Sequence, residues 1–548
     1  MSSTTEERKE MGQTTAEPSS LEEGKTMSPT TSDINEKSSP PPAYPDVERS
    51  DSVVAAEIHR TIQIQSSIGV LRVLRRAEEW IDSKVGIELR GIDRIPEEEK
   101  QPPSQWNIFL LWWSLNVHVG VLPLGVLGPA FGLALKPSIA ASVLGTALGA
   151  LCTAYTGTLG PRTGLRQIAC SRYSFGFWGA KLCSILNVVV GGGFYVVNLV
   201  VVGEILSAVS DYSLSIEVGI VIIAVVSYLI SIFGFKLIHT YEKYSWMVTF
   251  VLMCVLYGQA APLVEPDAPG FDASGTLAFA GSFLTIVAIC FSNASGWCSI
   301  SSDYMCNYPA NISSLKVFGL IWSGIMLPTC WSIVLGALLG NIAITAARAP
   351  YAHVYTAHGL GGLIFEVYHP VGWSKFCLVI LTFSVLGNNI AINYSSGLSL
   401  QLLGHYFHAV PRFIWSFLFA IVVAVLAIAG RQSLSNVVSD FVSLLGYWTV
   451  SFTLILLIED KFFRRREGYN LTVWDKPDKL PWGAAAVLSL LSGYLAGGLP
   501  GAAQTWFVGP IAANFGKYGG DCGVYMSAAI TIVVYFPARA LERRYTGR

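Results

Sequence analysis

Residues 112–129 read WWSLNVHVGVLPLGVLGP, an apolar stretch that polar residues, glycines and prolines interrupt. Proline lacks a backbone N–H and clashes with the preceding helical turn, and glycine lowers the cost of unwinding a helix. The helix-breaking residues fall within ten positions, at Gly120, Pro123, Gly125, Gly128 and Pro129. Since that is more than a simple kink requires, the stretch predicts a helix that is broken near its middle.

The composition of the whole chain is that of a membrane protein. Of its 548 residues, 52% are hydrophobic and 13% are charged, about half the charged share of roughly 25% in soluble domains. The mean hydropathy is +0.49, and the formal net charge of −1 gives no sign of a nucleic-acid partner. The ten cysteines are scattered without metal-ligand spacing, so we expect neither a metal nor another cofactor. We therefore expect an all-α integral membrane protein, and the sequence leaves its oligomeric state open.

Twelve apolar runs follow residue 105, and each is near the roughly 20 residues that a helix needs to cross a bilayer. They lie at 106–131, 137–158, 181–207, 217–235, 244–261, 277–299, 315–346, 373–402, 412–429, 434–458, 482–503 and 521–538. Residues 1–52 are rich in Ser, Thr, Glu and Pro and predict a disordered tail. Residues 53–105 predict a pre-membrane segment, in which 53–92 form either an amphipathic helix at the membrane surface or a solvated helix.

The distribution of basic residues predicts which side of the membrane each loop faces. The inner loops and the C-terminal segment 539–548 hold eighteen lysines and arginines. The predicted outer loops hold only Lys136, Arg348, Lys375, Arg431 and Lys517. Because cytoplasmic loops carry the excess of Lys and Arg, both termini are predicted to be cytoplasmic.

A second break is predicted in the sixth run, where residues 292–297 read SNASGW without a proline. Runs one and six are corresponding members of a five-plus-five arrangement, and transporters built from inverted repeats use paired broken helices to line a central site. We therefore predict a first repeat over 106–261, a second over 277–458, and two peripheral helices over 482–538. The alternatives are two glycine-rich packing faces, or a channel, for which no repeated filter segment is present.

Three asparagines, Asn388, Asn389 and Asn393, lie in the otherwise apolar run 376–403. An unpaired amide at membrane depth costs several kcal/mol, so these side chains need polar partners. They either bind a polar ligand or join neighbouring helices through hydrogen bonds. The residues alone leave both interpretations open.

Short motifs in a fixed order extend from residue 91 towards the C-terminus. They are GIDRIPE at 91–97, GLRQ at 164–167 with SRY at 171–173, GW at 296–297 with SDY at 302–304, NNI at 388–390, and WFVGP at 506–510 with GGD at 519–521. Each motif alone is weak, but in this order and spacing the chain resembles one family. It resembles the fungal purine–cytosine permeases of the nucleobase-cation-symport family 1, a branch that also includes pyridoxine carriers.

The resemblance implies a LeuT-type fold, with ten core helices in two inverted repeats plus two peripheral helices, and proton-driven uptake of a flat heteroaromatic base. In such carriers an aromatic residue on helix three and a tryptophan on helix six enclose the base, and amides on helices three and eight bind its edge. The matching positions here are Phe194, Trp297, Asn198, Asn388, Asn389 and Asn393, with Ser114 and Asn116 as the polar pair of helix one. Core packing is the alternative interpretation of both rings.

The chemistry of these residues agrees with such a ligand. Aromatic rings stack on the faces of a base, and an amide matches an N–H beside a C=O on its edge. Phe194 and Asn198 are spaced i, i+4 and so share one helical face. The permeases usually carry Trp where this chain has Phe194, and Pro where it has Ala391. The substrate is therefore left open among purine bases, cytosine, uracil, allantoin and pyridoxine.

The driving ion is predicted to be the proton. In sodium-coupled relatives hydroxyls on helix eight bind the ion, and the matching positions here, Gly387 and Asn388, carry none. The candidates for proton coupling are Glu204, His118 and Asp440, ionisable groups predicted at membrane depth. A structural carboxyl that binds a neighbouring helix is the alternative for Glu204.

These expectations combine into a secondary carrier that works by alternating access, rocking one helix bundle against the other. Asp303 and the segment Arg166–Arg172, at the predicted inner face, are a candidate charge-paired gate. One alternative is a membrane enzyme, for which no Ser/His/Asp order, metal cluster or phosphate loop is present; the other is a sensor with a transporter fold. The resemblance implies the plasma membrane as location, with the vacuolar membrane as the alternative.

Overall fold

The computed structural model describes residues 93–232, 235–270, 275–516 and 519–548, together with the isolated positions 69 and 73. The predicted tail 1–52 and, apart from those two positions, the predicted pre-membrane helix 53–92 therefore lie outside the described residues. The described residues contain no β-strand, only one antiparallel bridge between Ala503 and Val508.

Eighteen α-helices run through the described residues. They are α1 (Trp106–Asn116), α2 (Leu122–Ala130), α3 (Leu135–Gly157), α4 (Leu159–Thr163), α5 (Gln167–Val209), α6 (Ile216–Ile232), α7 (Phe235–Ala260), α8 (Thr276–Ser295), α9 (Ser301–Met305), α10 (Ser314–Gly340), α11 (Tyr351–Val367), α12 (Val371–Phe383), α13 (Leu386–Gln401), α14 (His405–Ala409), α15 (Arg412–Gly430), α16 (Leu434–Ile458), α17 (Ala484–Ser492) and α18 (Gly523–Thr546). Three π-helical segments extend α10, α16 and α17, namely Asn341–Thr345, Glu459–Phe463 and Gly493–Gly498.

Most of these helices are suited to a membrane. Nine helical stretches of the described residues are long and apolar enough to cross a bilayer, and the bent pair α1–α2 makes a tenth. One of the nine, Arg412–Phe463, contains two of the predicted spans, α15 and α16. The predicted fourth span is a shorter apolar helix, Ile216–Ser231.

The break predicted in the first span is present. α1 ends at Asn116 and α2 begins at Leu122 after one 3-10 turn, and the two helical pieces are bent by 64°. Side chains of other helices bind the freed carbonyls: Leu115 C=O accepts from Asn388 Nδ2 at 3.0 Å, and Asn116 C=O accepts from Ser332 Oγ at 3.4 Å. Such partners make non-helical backbone tolerable at membrane depth.

The break predicted in the sixth span is present as well. α8 ends at Ser295, and a 3-10 turn, Gly296–Ser299, leads to the short helix α9. α8 packs closely against α3, where a Cβ on Gly149 would lie only 2.1 Å from the carbonyl oxygen of Phe291. A small residue is therefore required at this crossing of two helices.

Two helices are longer than the apolar runs that predicted them, because they continue through further buried residues. The helix α5, which contains the predicted third span 181–207, begins at Gln167 and is kinked at Gly176 (φ 66°). Its first turns carry Arg172, whose guanidinium lies over the ring of Phe177 at 4.9 Å and is buried. Segment 539–548, predicted as a tail, is helical to Thr546 in α18.

Two other differences concern the predicted eighth span and the outer loop before it. The loop 347–372 contains the helix α11. This helix was not predicted, because its polar residues and glycines interrupt the apolar pattern. The eighth span itself is divided into α12 and α13 at residues 384–385. α11 and α13 both contribute to the sites described next.

Candidate functional site

Three buried amides meet between α5 and α13. Asn198 Nδ2 donates to Asn388 Oδ1 at 3.0 Å and to Asn389 Oδ1 at 2.8 Å. All three side chains belong to buried residues, none more than 5% exposed. The structure thus brings together the amides that the sequence placed on helices three and eight.

The asparagines of α13 also bind neighbouring helices. Asn388 donates to the carbonyl at the break in the first span, as described above. Asn389 Nδ2 donates to Ser227 Oγ of α6 at 3.3 Å, and Asn393 Nδ2 donates to Ser231 Oγ of α6 at 3.1 Å. Among the described residues, the buried Asn393 Oδ1 has no hydrogen-bond partner. The asparagines therefore join helices, and to bind a ligand Asn388 and Asn389 would have to exchange partners.

Phe194 of α5 and Trp297 of the 3-10 turn line one small cavity. Its volume is about 20 Å³, enough for about one water molecule. Trp297 Nε1 donates to Asn116 Oδ1 at 3.3 Å, and the Trp297 ring meets Trp112 edge-on with centroids 5.8 Å apart. A flat ligand can therefore enter between the two rings only when the surrounding helices separate.

The polar side chains facing this cavity are ones that the sequence analysis missed. Asn187 of α5 lines it together with Ser395 and Ser396 of α13. In the part of the chain that the structure describes, the residues lining it do not include Asn198 or Asn388. A helical-face argument would have found Asn187, because it precedes Phe194 by seven residues, or two turns.

Glu204 of α5 is 4% exposed and contacts the backbone of α11. Its Oε2 accepts a hydrogen bond from the N–H of Gly361 at 3.1 Å. α11 is kinked at Gly359 (φ 68°), and a Cβ at that position would lie 2.5 Å from the Glu204 carboxyl. The carboxyl thus occupies space that glycine leaves free, at the start of the second half of α11, where N–H groups have no intrahelical partner.

Glu204 also lines a large open cavity of about 830 Å³ at the end of the helices predicted to face outward. Other titratable or charged residues that line it are Tyr212, Glu217, Tyr355, His358 and Arg431. The rings of Tyr212 and His358 stack with centroids 3.6 Å apart, and Arg431 binds Glu217 at 2.5 Å. Glu204 therefore lies between this cavity and Asn198, which is six residues earlier on the same helix.

The remaining candidates occupy different places. His118 is 4% exposed at the break in the first span, and its Nδ1 accepts from the N–H of Gly120 at 3.2 Å. Asp440 is only half-buried and accepts from the N–H of Thr505 at 2.8 Å and from the Thr505 hydroxyl. It therefore binds the loop after α17, apart from the amides of α5 and α13. Ser114 is half-buried on α1.

The predicted inner gate residue Asp303 contacts the first turn of α5. Its Oδ1 accepts from the backbone N–H of Gln167 at 2.7 Å, and Gln167 Oε1 accepts from the N–H of Ser302 at 3.2 Å. The segment after the second break is thereby joined to the beginning of α5, within the predicted gate segment Arg166–Arg172.

The comparison with protein families identifies the family of the chain. The model described as "Permease for cytosine/purines, uracil, thiamine, allantoin" matches residues 94–509. The chain belongs to this permease family. The permease is therefore an integral membrane transporter and not an enzyme, as the motifs from residue 91 onward indicated.

Individual relatives agree with the family. The vitamin B6 transporter TPN1 of Saccharomyces cerevisiae is 32% identical, over 89% of the permease and 93% of the relative. The purine-cytosine permease fcyB of Emericella nidulans is also 32% identical, over 85% of the permease and 91% of the relative. Both alignments cover more than four fifths of the permease.

Solved structures share the fold of the permease. The inward-facing conformation of Mhp1 aligns with a TM-score of 0.63 at 14% identity, covering 84% of the permease and 96% of the Mhp1 chain. The closed conformation of Mhp1, a nucleobase-cation-symport-1 family transporter with bromovinylhydantoin bound, aligns with a TM-score of 0.62 at 12% identity over the same shares. These similarities show a LeuT-like transporter fold.

Proposed function

We propose that this permease is a proton-driven secondary carrier of a small, flat heteroaromatic compound. The observation that carries the proposal is that Phe194 and Trp297 line one cavity whose wall includes an amide. Rings stack on the two apolar faces of such a ligand, and amides match the donors and acceptors of its edge. The small volume of the cavity fits a closed state between loading and release, because a carrier that works by alternating access opens its site to only one side of the membrane at a time.

Purine bases and cytosine are the first candidate substrates, given the likeness to the purine-cytosine permease of Emericella nidulans. The central amides Asn198, Asn388, Asn389 and Asn393, with Ser114 and Asn116 of the first span, are the proposed contacts for the ligand once their present partners are exchanged. Uracil and allantoin belong to the same chemical class.

Pyridoxine is the second candidate, favoured by two observations. The likeness to the vitamin B6 transporter extends over 89% of the chain. Phe194 offers a smaller stacking face than the Trp usual in purine–cytosine permeases, and Ala391 replaces their Pro. The smaller side-chain ring of Phe194 and the altered α13 wall of the pocket suit a ligand with a single six-membered ring better than a purine.

The proton is the proposed driving ion. A hard cation needs several free oxygens, but the Leu115 carbonyl at the break accepts from Asn388 Nδ2 at 3.0 Å. The Leu115 carbonyl oxygen, which a cation would need as a ligand, is therefore occupied by an N–H donor. Gly387 has no hydroxyl that could replace it. Glu204, buried beside the open cavity, is the proposed proton carrier, with His118 as the second candidate; Asp440 binds the loop instead.

The proposed membrane arrangement has twelve spans, as a five-plus-five inverted repeat and two further helices, in the plasma membrane with both termini cytoplasmic. The paired breaks in spans one and six support the repeat. The excess of basic residues in the predicted inner loops supports the orientation. In this orientation the 830 Å³ cavity opens outward and Asp303 lies at the inner face.

Competition uptake with cytosine, adenine, hypoxanthine, uracil, allantoin and pyridoxine, in a host that lacks its own transporters for them, tests the function. We expect one labelled compound to accumulate above its external concentration and a subset of the others to compete. Binding without accumulation would identify a sensor. Neither binding nor uptake, with the protein present at the membrane, contradicts the proposal.

A further inference from the structure

The polar wall of the cavity between Phe194 and Trp297 is formed by Asn187, Ser395 and Ser396. All three residues are buried. Asn187 and Phe194 are two turns apart on one face of α5. A ring held between Phe194 and Trp297 would therefore present its edge to Asn187.

Two glycines leave this space free of side chains. A Cβ on Gly191 would lie 2.9 Å from Ile392 Cγ2 and 3.1 Å from Ser396 Oγ. A Cβ on Gly296 would lie 2.8 Å from the ring of Phe194. Since these distances are shorter than ordinary contacts, a larger residue at either position would displace the walls of the cavity.

Asn187 carries the two kinds of group that the edge of a heteroaromatic compound needs. Its Nδ2 donates to Ser399 Oγ at 2.9 Å and to Ser395 Oγ at 3.3 Å, and its Oδ1 accepts from Ser299 Oγ at 2.6 Å. A hydroxyl is both donor and acceptor and rotates freely, so these serines can bind other groups when a ligand replaces them at Asn187.

The partners of the central amides are harder to exchange. Asn198 binds two amide oxygens, and Asn388 also binds a main-chain carbonyl. A buried donor or acceptor left without a partner costs about 1–3 kcal/mol. Loss of these bonds therefore opposes ligand binding more than the exchange of a serine hydroxyl does.

We propose that Asn187, together with Ser395, binds the polar edge of the transported compound and determines which members of the class are accepted. This inference rests on the proposed function, for which Asn187 is a further specificity-determining residue. The ligand ring lies between Phe194 and Trp297, and its N–H and C=O groups replace the hydroxyls that now bind Asn187.

The test measures KM, Vmax and the amount at the cell surface for Asn187→Asp, Asn187→Ala and Ser395→Ala in the full-length permease. Asn187→Asp retains the shape of the side chain but replaces a donor with an acceptor. We expect the ratio of KM values for two transported compounds to change by tenfold or more, which corresponds to about 1.4 kcal/mol. Ser395→Ala is expected to raise KM severalfold with little change in Vmax.

Ser184→Ala is the matched control. Ser184 is buried one turn before Asn187 on α5 and donates to the backbone carbonyl of Ser399 at 2.5 Å, but it does not line the cavity. We expect its KM ratios to equal those of the wild type. Unchanged KM ratios in the Asn187 variants, with only Vmax or surface amount reduced, would overturn the inference and leave Asn187 a helix-joining residue.

Two further outcomes keep the test decisive. If the Asn187 variants do not reach the surface, an unchanged KM in Ser395→Ala overturns the inference and a raised KM supports it. A wild-type protein that takes up none of the compounds contradicts the proposed function itself, before any variant is compared.

Discussion

The Glu204 carboxylate of α5 accepts a hydrogen bond from the backbone N–H of Gly361 in α11 at 3.1 Å. This contact connects the helix that carries Phe194 and Asn198 with a helix lining the 830 Å³ cavity. If Glu204 carries the proton, Glu204→Gln, a permanently neutral side chain of the same shape, removes the coupling. We expect the initial rate of uptake by this variant to be independent of external pH, as measured over a pH series. We also expect steady-state uptake to show no accumulation above the external concentration.

Glu204→Asp is the control for that experiment, because it retains a titratable carboxyl. We expect it to transport more slowly but with a pH dependence. A Glu204→Gln variant with the pH profile and accumulation of the wild type would show that this carboxyl only joins α5 to α11.

The contact also makes a prediction about stability at Gly361. A Cβ there would lie 2.4 Å from the backbone carbon of Glu204, so Gly361→Ala forces α5 and α11 apart. Overpacking of this kind costs about 1–3 kcal/mol, and we expect a lower Tm for the purified protein. Gly258→Ala is the matched control, since no heavy atom beyond the neighbouring backbone of its own helix lies within 4 Å of a Cβ at that position. Equal Tm values for the two variants would mean that α11 moves away without cost.

The position of Asn388 predicts the ion dependence of uptake. Its amide N–H binds the Leu115 carbonyl at the helix break, and the neighbouring Gly387 offers no hydroxyl ligand. We expect replacement of external sodium by choline to leave uptake unchanged and a protonophore to abolish accumulation. Sodium-dependent uptake that is insensitive to the protonophore would contradict both this assignment and the role of Glu204.

Asn198→Ala tests the central amides as a group. The substitution leaves Asn388 Oδ1 and Asn389 Oδ1 without their donor, at distances that are now 3.0 Å and 2.8 Å. We expect most uptake to be lost while the protein still reaches the membrane, because the hydroxyl and carbonyl contacts of α13 remain. The measurement is uptake normalised to surface protein, and near-normal uptake would refute the role of Asn198.

Local signals in the sequence predicted the features that depend on residues close together along the chain. The glycines and prolines of 120–129 and the small residues around Gly296 mark both helix breaks, and the tenth span, 434–458, has the predicted bounds. The sequence also predicted that the amides around Asn388 bind either a polar ligand or a neighbouring helix. Their mutual pairing was not predicted, because partner choice depends on how α5 and α13 are rotated about their axes.

Features that depend on contacts between distant segments were missed. α11 has no continuous apolar run. Its glycines are required only because Glu204 of α5 packs against them, and the sequence does not show that contact. Asn187 is a single polar residue in a long helix, and its three serine partners come from two other segments. The seven-residue spacing places Asn187 on the helical face of Phe194, but spacing alone does not distinguish a ligand-binding asparagine from a packing one.

A buried ion pair between α18 and the π-helical segment that extends α16 provides the last prediction. Arg539 binds Glu459 through two hydrogen bonds, each 2.8 Å long, and both side chains are 1% exposed. Removal of one partner of a buried ion pair costs about 3–5 kcal/mol when nothing else compensates the charge. Glu459 retains Arg464 Nε at 2.9 Å and the Tyr535 hydroxyl at 2.9 Å, so we expect Arg539→Ala to lower Tm clearly but by less than that full cost. Lys136→Ala is the control: its pair with Asp267 is 77% and 90% exposed, and exposed pairs contribute little. Similar Tm values for the two variants would mean that α18 separates from α16 without unfolding the bundle, and that the C-terminal extension of α18 does not stabilise the transporter.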